Sequence, residues 1–349
     1  MMSKFSQKCL KVSVISLFIG ALLLGAGFAM GGIQAIKSIT APQKVSEVFT
    51  DISELRVNTY RNIHIQSGDV QKPTVSYYKK STFLSDIELT KEGDLLSIKN
   101  VEKEFEMTGL IEVFGYLLNE SGRTSDFREI VVTLPKDKPL EALTGWSMWM
   151  QLTNLTIENI DYQGSFTGIV NSTISKGNLQ GSISANDSKL KDVKLNLYSD
   201  YSQFTNSSGE NLVITDQSGG INFSNSTLKN ISYSDGSTEE EIQKEAELAA
   251  SSNGEDNYYG YESQVTIENV KLLGENHFMA SAINMDINLA ADSKTNVDIQ
   301  SYGGDIQLSG HYQDLKKVSE NTGTRVSHTE KDATGKIIIL NSYGNISMK

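Results

Sequence analysis

The chain has 349 residues, which allows two ordinary domains or one long repeat domain with additions. Its net charge of -12 at pH 7 argues against a nucleic-acid partner, because phosphate binding needs a basic surface. The single cysteine, Cys9, excludes an internal disulfide and a cysteine-based metal site. The composition fits a soluble, self-repelling exposed domain and does not identify a ligand.

An uncharged apolar run extends from Val12 to Ile33. As a helix it is about 33 Å long, enough to cross a hydrocarbon core of about 30 Å. Residues 1–11 before it contain lysines and no acidic residue, so the positive-inside rule places them in the cytoplasm. The sequence therefore predicts a single-pass transmembrane helix over residues 12–33, with everything after it extracytoplasmic. The alternative is a signal peptide cleaved near Gly27-Phe-Ala29, which would export the same domain.

Residues 34–50 are predicted to form a short tether, and residues 51–139 an N-terminal β region. In this region short apolar runs are separated by turn signals such as Ser67-Gly-Asp69. An apolar insertion at residues 107–118 interrupts the pattern. It predicts either a buried helix or hairpin that caps one end of the β core, or a segment that touches the membrane surface.

Residues 140–349 contain a repeated phrase. Leu155-Thr-Ile-Glu-Asn-Ile160 returns as Val265-Thr-Ile-Glu-Asn-Val270, and looser copies begin at Ser188 and Ser226. Apolar and polar residues alternate up to an Asn or Asp, and another short alternating run follows. This order of strand, tight corner and strand is typical of stacked β coils.

The spacing of the phrase predicts the length of one coil. The repeated apolar position advances in steps of 17, 16, 38 and 39 residues along the series Ile157, Ile174, Leu190, Leu228 and Ile267. The last two steps are nearly double the first two, so one coil is expected to intervene in each. A coil of about 16–20 residues follows, and these five residues are predicted to point inward at equivalent positions.

No proline follows Pro139. Because proline removes a hydrogen-bond donor from a strand, a long proline-free tract rich in Asn, Ser, Thr and Gly suits stacked coils. Corner signals such as Gly177-Asn and Gly304-Asp contain residues that tolerate left-handed backbone conformations. The predicted fold class is all-β, with a parallel β-solenoid over residues 140–349. An antiparallel meander or sandwich is the alternative.

One acidic insertion, residues 234–262, breaks the repeat. Its Glu- and Ala-rich part favours a helix but has no wide apolar face, so it is predicted to loop out of the solenoid as a mobile segment. Inserted loops often carry function. Tyr258, Tyr259 and Tyr261 at its end are therefore candidate contact residues.

Two tryptophans, Trp146 and Trp149, lie where the N-terminal region gives way to the coils. One interpretation is that they pack this junction. The other is that they offer a stacking surface to sugar rings. Together with the three tyrosines they form the predicted contact surface.

Motifs for catalysis and cofactor binding are missing from the sequence. The four histidines show no metal-ligand spacing, and there is no nucleophile elbow, phosphate loop or dinucleotide fingerprint. The carboxylates that could stack across coils, as in polysaccharide-cleaving β-helices, are Asp286, Asp298 and Asp305. Solvated outward acids are the ordinary explanation for such residues. We therefore predict no enzyme, no cofactor, no metal and no catalytic residue.

The layout resembles a bacterial family known as DUF4097, whose members are labelled putative adhesins. The resemblance covers about residues 50–349 and rests on degenerate structural motifs, such as Ser67-Gly-Asp-Val70, Ile130-Val-Val-Thr-Leu-Pro135 and Tyr302-Gly-Gly-Asp-Ile306. The two insertions depart from the usual pattern. The resemblance implies a single-stranded, right-handed β-helix-like fold in a Gram-positive cell envelope, and it supplies no catalytic residues.

The function predicted from the sequence is a non-enzymatic, membrane-anchored extracytoplasmic scaffold for binding, adhesion or envelope stress. The expected partners are the membrane and a cell-wall polymer, a host surface or an envelope protein. One alternative is a polysaccharide-active enzyme that uses the clustered carboxylates. The other is an accessory partner of a membrane sensor, in contact through the transmembrane helix.

Overall fold

The computed structural model describes residues 4–79, 85–101, 109–119, 127–136, 138–198, 201–217, 219–251, 264–320 and 323–349. The chain forms two compact units. The first comprises Met1–Val45, Tyr77–Asp86 and Val101–Glu129. The second comprises Ser46–Ser76, Ile87–Asn100 and Ile130–Lys349.

The helices of the first unit whose bounds lie within described residues are α1 (Lys4–Ala29), α2 (Gly32–Thr40) and α3 (Leu110–Asn119). Within α1, Ser6–Ala29 is long and apolar enough to cross a membrane, judged by length and composition. The helix ends before the predicted limit at residue 33, because Gly31 adopts a left-handed conformation with φ of 95°. The predicted tether, residues 34–50, contains most of α2 and the first strand, Gln43–Val48.

Helices α2 and α3 pack against each other. The side-chain amide of Asn119 donates hydrogen bonds to the Lys37 carbonyl (2.9 Å) and to Thr40 Oγ1 (2.8 Å). Gly115 permits the close approach, because a Cβ there would lie 2.4 Å from Thr40 Oγ1. These contacts explain why the described residues of the 107–118 insertion form a helix.

Helix α3 is nevertheless not a buried helix, and that interpretation of the insertion is wrong. The side chains of Ile111 and Leu117 are 59% and 54% exposed, and Phe114 and Leu118 are exposed as well. Side chains at these positions lie on an apolar face that α2 leaves uncovered. The alternative, contact with the membrane surface, stays a prediction.

The strands follow one another along the chain in short segments. Those before residue 200 are β1 (Gln43–Val48), β2 (Glu54–Thr59), β3 (Asn62–Gly68), β4 (Thr74–Lys79), β5 (Ile87–Glu92), β6 (Leu95–Asn100), β7 (Glu129–Pro135), β8 (Leu140–Thr153), β9 (Thr156–Val170), β10 (Thr173–Ile174), β11 (Gly177–Asn186), β12 (Lys189–Lys191) and β13 (Val193–Leu197).

The later strands are β14 (Ser202–Thr205), β15 (Ser208–Glu210), β16 (Val213–Asp216), β17 (Gly220–Ser224), β18 (Thr227–Lys229), β19 (Ser232–Ser234), β20 (Gln264–Ala280), β21 (Asn284–Leu289), β22 (Thr295–Ser301), β23 (Ile306–Leu308), β24 (Lys317–Glu320), β25 (Gly323–His328), β26 (Gly335–Asn341) and β27 (Ile346–Met348). A short 3₁₀ helix, Gly310–Tyr312, separates β23 from β24.

Pairing between successive coils is parallel, which confirms the predicted β-solenoid. Strand β8 pairs in parallel with β9, β9 with β11, and β11 with β13 and β14. Antiparallel pairs also occur among the described strands, and they include β4 with β7, β5 with β6, and β25 with both β22 and β24. Parallel stacking buries the inward side chains in one continuous apolar column.

The predicted inward column is confirmed at four positions. Ile174 is the register partner of both Ile157 and Leu190. The intervening coil expected between Leu190 and Leu228 exists, and it contributes Gly209 to the column. All four predicted residues are buried.

The fifth assignment, Ile267, is wrong. Ile267 is buried, but its register partner is Phe223, and Leu228 pairs with Leu272. The acidic insertion lies between these coils and lengthens this step. Counting residues along the chain from Leu228 therefore led to Ile267, which lies on a neighbouring side of the coil, instead of to Leu272.

Asn and Asp side chains form a column at one corner of the coils. Each of its members has a left-handed φ between 47° and 57°: Asn154, Asn171, Asp187, Asn206, Asn225 and Asn269. The backbone N–H of Asn171 reaches the Asn186 carbonyl of the next coil at 3.0 Å. Asn171 Nδ2 also donates to Asn154 Oδ1 at 2.7 Å. These corners confirm that Asn serves where the backbone is left-handed.

A column of buried serines runs directly beside this corner. Ser172, Ser188, Ser207 and Ser226 each follow a corner Asn or Asp and are at most 5% exposed. Each hydroxyl donates to the carbonyl two residues earlier. Each also accepts a backbone N–H from the preceding coil. The serines thus satisfy backbone groups that the corner removes from the strand ladder.

The acidic insertion begins with helix α4 (Glu239–Ser251). Thr238 and Glu241 form a capping box, in which the Thr238 N–H donates to Glu241 Oε2 (2.8 Å) and the Glu241 N–H donates to Thr238 Oγ1 (3.3 Å). Ile242 in the first turn is completely buried. The start of the insertion was predicted to loop out, whereas its capped first turn buries Ile242.

Candidate binding surface

Five aromatic side chains lie on or beside the neighbouring strands β8 and β9 of the second unit, in two groups. The Trp149 ring stacks on the Phe166 ring with centroids 5.6 Å apart and planes 10° apart. The Trp146 ring lies edge to face with Tyr60, with centroids 4.8 Å apart. Tyr198 is 42% exposed, and its hydroxyl accepts a bond from Gln163 Nε2 at 3.4 Å. We call Tyr60, Trp146, Trp149, Phe166 and Tyr198 the aromatic patch.

Coil stacking is what brings these rings together. Trp149 and Phe166 are register partners on β8 and β9, so their side chains meet across one parallel pair. Trp146 is the register partner of Gln163 on the same two strands, which places Gln163 between Trp146 and Tyr198. Both predicted tryptophans therefore lie on β8, three residues apart, and each takes part in an aromatic contact of its own.

The rings that surround the tryptophans were missed in the sequence. Phe166 follows Trp149 by 17 residues, and the same separation joins Asn154 to Asn171 in the corner column. The coil period thus contained the signal for Phe166. Tyr60 and Tyr198 had no such signal, because their positions depend on how β2 and β13 lie beside the coils.

Segments of three neighbouring strands around the patch contain no charged side chain. Residues 142–153 of β8, 162–170 of β9 and 177–186 of β11 contain no Asp, Glu, Lys or Arg, although 21% of the chain is charged. These segments pair directly with one another. We call them the neutral flank. A neutral, aromatic surface on an anionic protein favours an uncharged ligand.

Beneath the neutral flank, Tyr162 is buried and bonds through its hydroxyl to Ser147 Oγ. Burial raises the pKa of Tyr162 above its ordinary value, so the phenol is neutral in the folded protein. The same cause raises the pKa of Tyr233, and the nearby Asp216 carboxylate adds to the effect. Neither group provides a titratable function at neutral pH, and both act as core residues.

The three carboxylates considered for polysaccharide cleavage do not stack on one another. Asp286 lies opposite Ser347, and it accepts a bond from Gln264 Nε2 at 2.6 Å. Asp298 lies opposite Ile338 and Ser327. The alignment across coils that the polysaccharide-cleaving alternative would use is not observed, because Asp286 and Asp298 have different register partners.

Asp298 nevertheless lines a groove of about 310 Å³. Arg325 in the same groove binds both oxygens of Asp298 at 3.1 Å. Both oxygens of this carboxylate are therefore bound by the guanidinium, which leaves neither of them directed at a substrate as a general acid or base. Glu239 of α4 and His277 also border this groove. Asp305 lies apart and is 4.0 Å from Lys317 Nζ.

Within the described part of the chain, one group of side chains brings metal-binding donors together. It consists of His311, His328 and Glu330, whose ligand atoms lie within 4.8 Å of one another. The sequence contains no motif for it, because His311 is far from the other two along the chain. The remaining predicted contact residues, Tyr258, Tyr259 and Tyr261, lie outside the described residues.

Comparison with solved structures gives two distant neighbours. A putative cell adhesion protein from Clostridium sporogenes is 11% identical, with 88% of this chain and 100% of that chain covered and a TM-score of 0.20. A putative adhesin from Bacteroides fragilis is 9% identical, with 89% and 99% covered and a TM-score of 0.33. At these TM-scores neither neighbour bears on function. No curated protein sequence matches the chain.

The model of one protein family covers most of the chain. Toastrack DUF4097 matches residues 52–349, which includes every strand from β2 onward. This match agrees with the observed parallel solenoid and confirms the resemblance drawn from the corner motifs. The chain belongs to the Toastrack DUF4097 family.

Proposed function

We propose that this protein is a non-enzymatic, membrane-anchored β-solenoid whose aromatic patch binds an uncharged polysaccharide of the cell envelope. The helix α1 is the anchor, and the solenoid is extracytoplasmic. The observation that carries the proposal is the stacked pair of Trp149 and Phe166 within the neutral flank.

A sugar chain suits this surface for chemical reasons. The flat ring of Trp149 is 37% exposed, and it can cover the apolar C–H face of a sugar. Gln163, the register partner of Trp146, is exposed and offers a carboxamide to sugar hydroxyls. A polyanionic ligand would meet a protein of net charge -12, which opposes its approach.

Extracytoplasmic placement rests on the N-terminal segment. Ser6–Ala29 is apolar and unburied, and the lysines of residues 1–11 precede or begin it. The positive-inside rule assigns that end to the cytoplasm. The accessory-partner alternative uses the same helix. Replacing α1 with an unrelated membrane span should leave binding unchanged under our proposal and abolish function under the alternative.

Binding to insoluble polysaccharides tests the proposal. The full chain in detergent micelles is mixed with particles of neutral glucan, chitin or isolated peptidoglycan, and the bound fraction is measured. We expect binding to at least one neutral polymer. Trp149→Ala and Phe166→Ala should each weaken it about tenfold or more, as expected for a central aromatic contact.

The matched control is Val318→Ala, which removes an exposed apolar side chain (47% exposed) from β24, away from the patch. It should bind like the wild-type chain. The proposal is overturned if no polysaccharide binds. It is also overturned if Trp149→Ala binds as well as Val318→Ala. Release of shortened sugars during the assay would instead favour the enzyme alternative.

A further inference from the structure

His311, His328 and Glu330 meet near the C-terminal end of the solenoid. His311 lies in the 3₁₀ helix, and His328 is the last residue of β25. Antiparallel pairing places His328 opposite Val297 of β22. The fold thus joins two segments that are separated along the chain.

The distances within this cluster fit metal ligands. Glu330 Oε2 lies 3.4 Å from His311 Nε2 and 3.3 Å from His328 Nε2. Both distances are longer than the usual range of about 2.7–3.2 Å for an N–H···O hydrogen bond. Two ligands about 2.0–2.1 Å from a tetrahedral zinc ion are about 3.3–3.4 Å apart. The two contacts therefore match the edges of a zinc tetrahedron.

Neighbouring groups hold the three residues in place. The Glu330 backbone N–H donates to Asn296 Oδ1 at 2.9 Å, which fixes the turn after β25. The Tyr312 ring is buried and meets the His311 ring edge to face, with centroids 5.0 Å apart.

We propose that His311, His328 and Glu330 form a binding site for a Zn²⁺-class transition-metal ion. Two imidazoles and one carboxylate are a donor set that zinc uses, whereas Ca²⁺ and Mg²⁺ prefer oxygen ligands alone. His311 is the most exposed member, with 69% of its side chain accessible. The fourth ligand position therefore faces solvent, where water completes the tetrahedron. Bound metal would tie the 3₁₀ helix to the β25 turn.

Zinc binding by the full chain tests this proposal. The protein is purified in detergent with a tag that contains no histidine, stripped with chelator and titrated with Zn²⁺ by calorimetry. Metal content is then measured after desalting. We expect one zinc ion per chain. His311→Gln and Glu330→Gln should each weaken binding at least tenfold, and Co²⁺ should give the visible absorption of a tetrahedral site.

The chain offers a matched control for these variants. His277 Nε2 lies 3.0 Å from Glu275 Oε1 on the exposed face of β20, so this pair has the same chemistry with one imidazole fewer. His277→Gln should leave zinc binding unchanged. Melting curves without metal check that His311→Gln folds, which its exposure favours.

Two results would overturn the proposal. The first is a wild-type chain that retains no zinc. The second is equal zinc binding by the wild type and His311→Gln. In either case the cluster would be an ion pair between histidines and a glutamate.

Discussion

Ser207 Oγ accepts the backbone N–H of Ser188 from the neighbouring coil at 3.1 Å. The same hydroxyl donates to the Thr205 carbonyl at 2.8 Å. One side chain therefore satisfies two backbone groups at a buried corner where the strand ladder is interrupted. Because Ser172, Ser188 and Ser226 repeat this arrangement, the corners are stabilised from coil to coil.

Ser207→Ala should destabilise the solenoid. The variant leaves the Ser188 N–H buried without its acceptor, which costs about 1–3 kcal/mol. The measurement is the urea midpoint of the full chain in detergent. Ser232→Ala, at an exposed position of β19, is the control and should change the midpoint little. Equal midpoints for the two variants would show that the serine column contributes nothing to stability.

Gly177→Ala should be more damaging. Gly177 has φ of 132°, and an added Cβ would lie 1.8 Å from the Ile160 carbonyl oxygen on the adjacent coil. Backbone strain and overlap with the neighbouring coil together should lower the free energy of unfolding by about 3 kcal/mol or more. Gly219→Ala is the matched control, because its Cβ would meet nothing within 4 Å. The yield of folded protein and its urea midpoint distinguish the two variants.

Tyr162→Phe should make stability less sensitive to alkali. The raised pKa keeps Tyr162 neutral in the folded state, whereas the unfolded chain ionises near pH 10. The contribution of Tyr162 to the free energy of unfolding is therefore fully present below about pH 10, and it is lost as the pH rises toward the pKa of the folded state. Above about pH 10, the free energy of unfolding should fall less steeply in the variant, by up to about 1.4 kcal/mol per pH unit.

Urea midpoints at several alkaline pH values measure this difference. The buried Tyr233 is present in both proteins, so the stability that it loses at alkaline pH cancels in the comparison. Tyr60→Phe alters an exposed phenol and should keep the wild-type slope. Identical slopes for Tyr162→Phe and the wild type would contradict the effect of burial.

Helix α3 should contact lipid. Its exposed apolar side chains need a covering surface, and the membrane that we propose α1 to span supplies an apolar one. A photoreactive amino acid placed at Leu117 should crosslink to lipid in nanodiscs. The same amino acid at Val213, which is 46% exposed on the solenoid, is the control and should not. Equal labelling at both positions would remove this interpretation of α3.

Several features of this protein follow from the sequence alone. Alternation of apolar and polar residues around each Asn predicted both the coil and its inward column, including the coil that adds Gly209. Such features are local, because a strand face and a left-handed corner depend on a few consecutive residues. The uncharged N-terminal run is local for the same reason.

Other features required the tertiary structure. The partner of Leu228 is Leu272 rather than Ile267, because an insertion changes the chain length between coils without changing their register. The aromatic patch depends on contacts between β2, β8, β9 and β13, and the histidine cluster on the pairing of β25 with β22. Side chains meet there through stacking and register, and neither is encoded in the spacing of single residues. The sequence by itself therefore determined the repeating coil, and the tertiary structure decided which side chains share a surface.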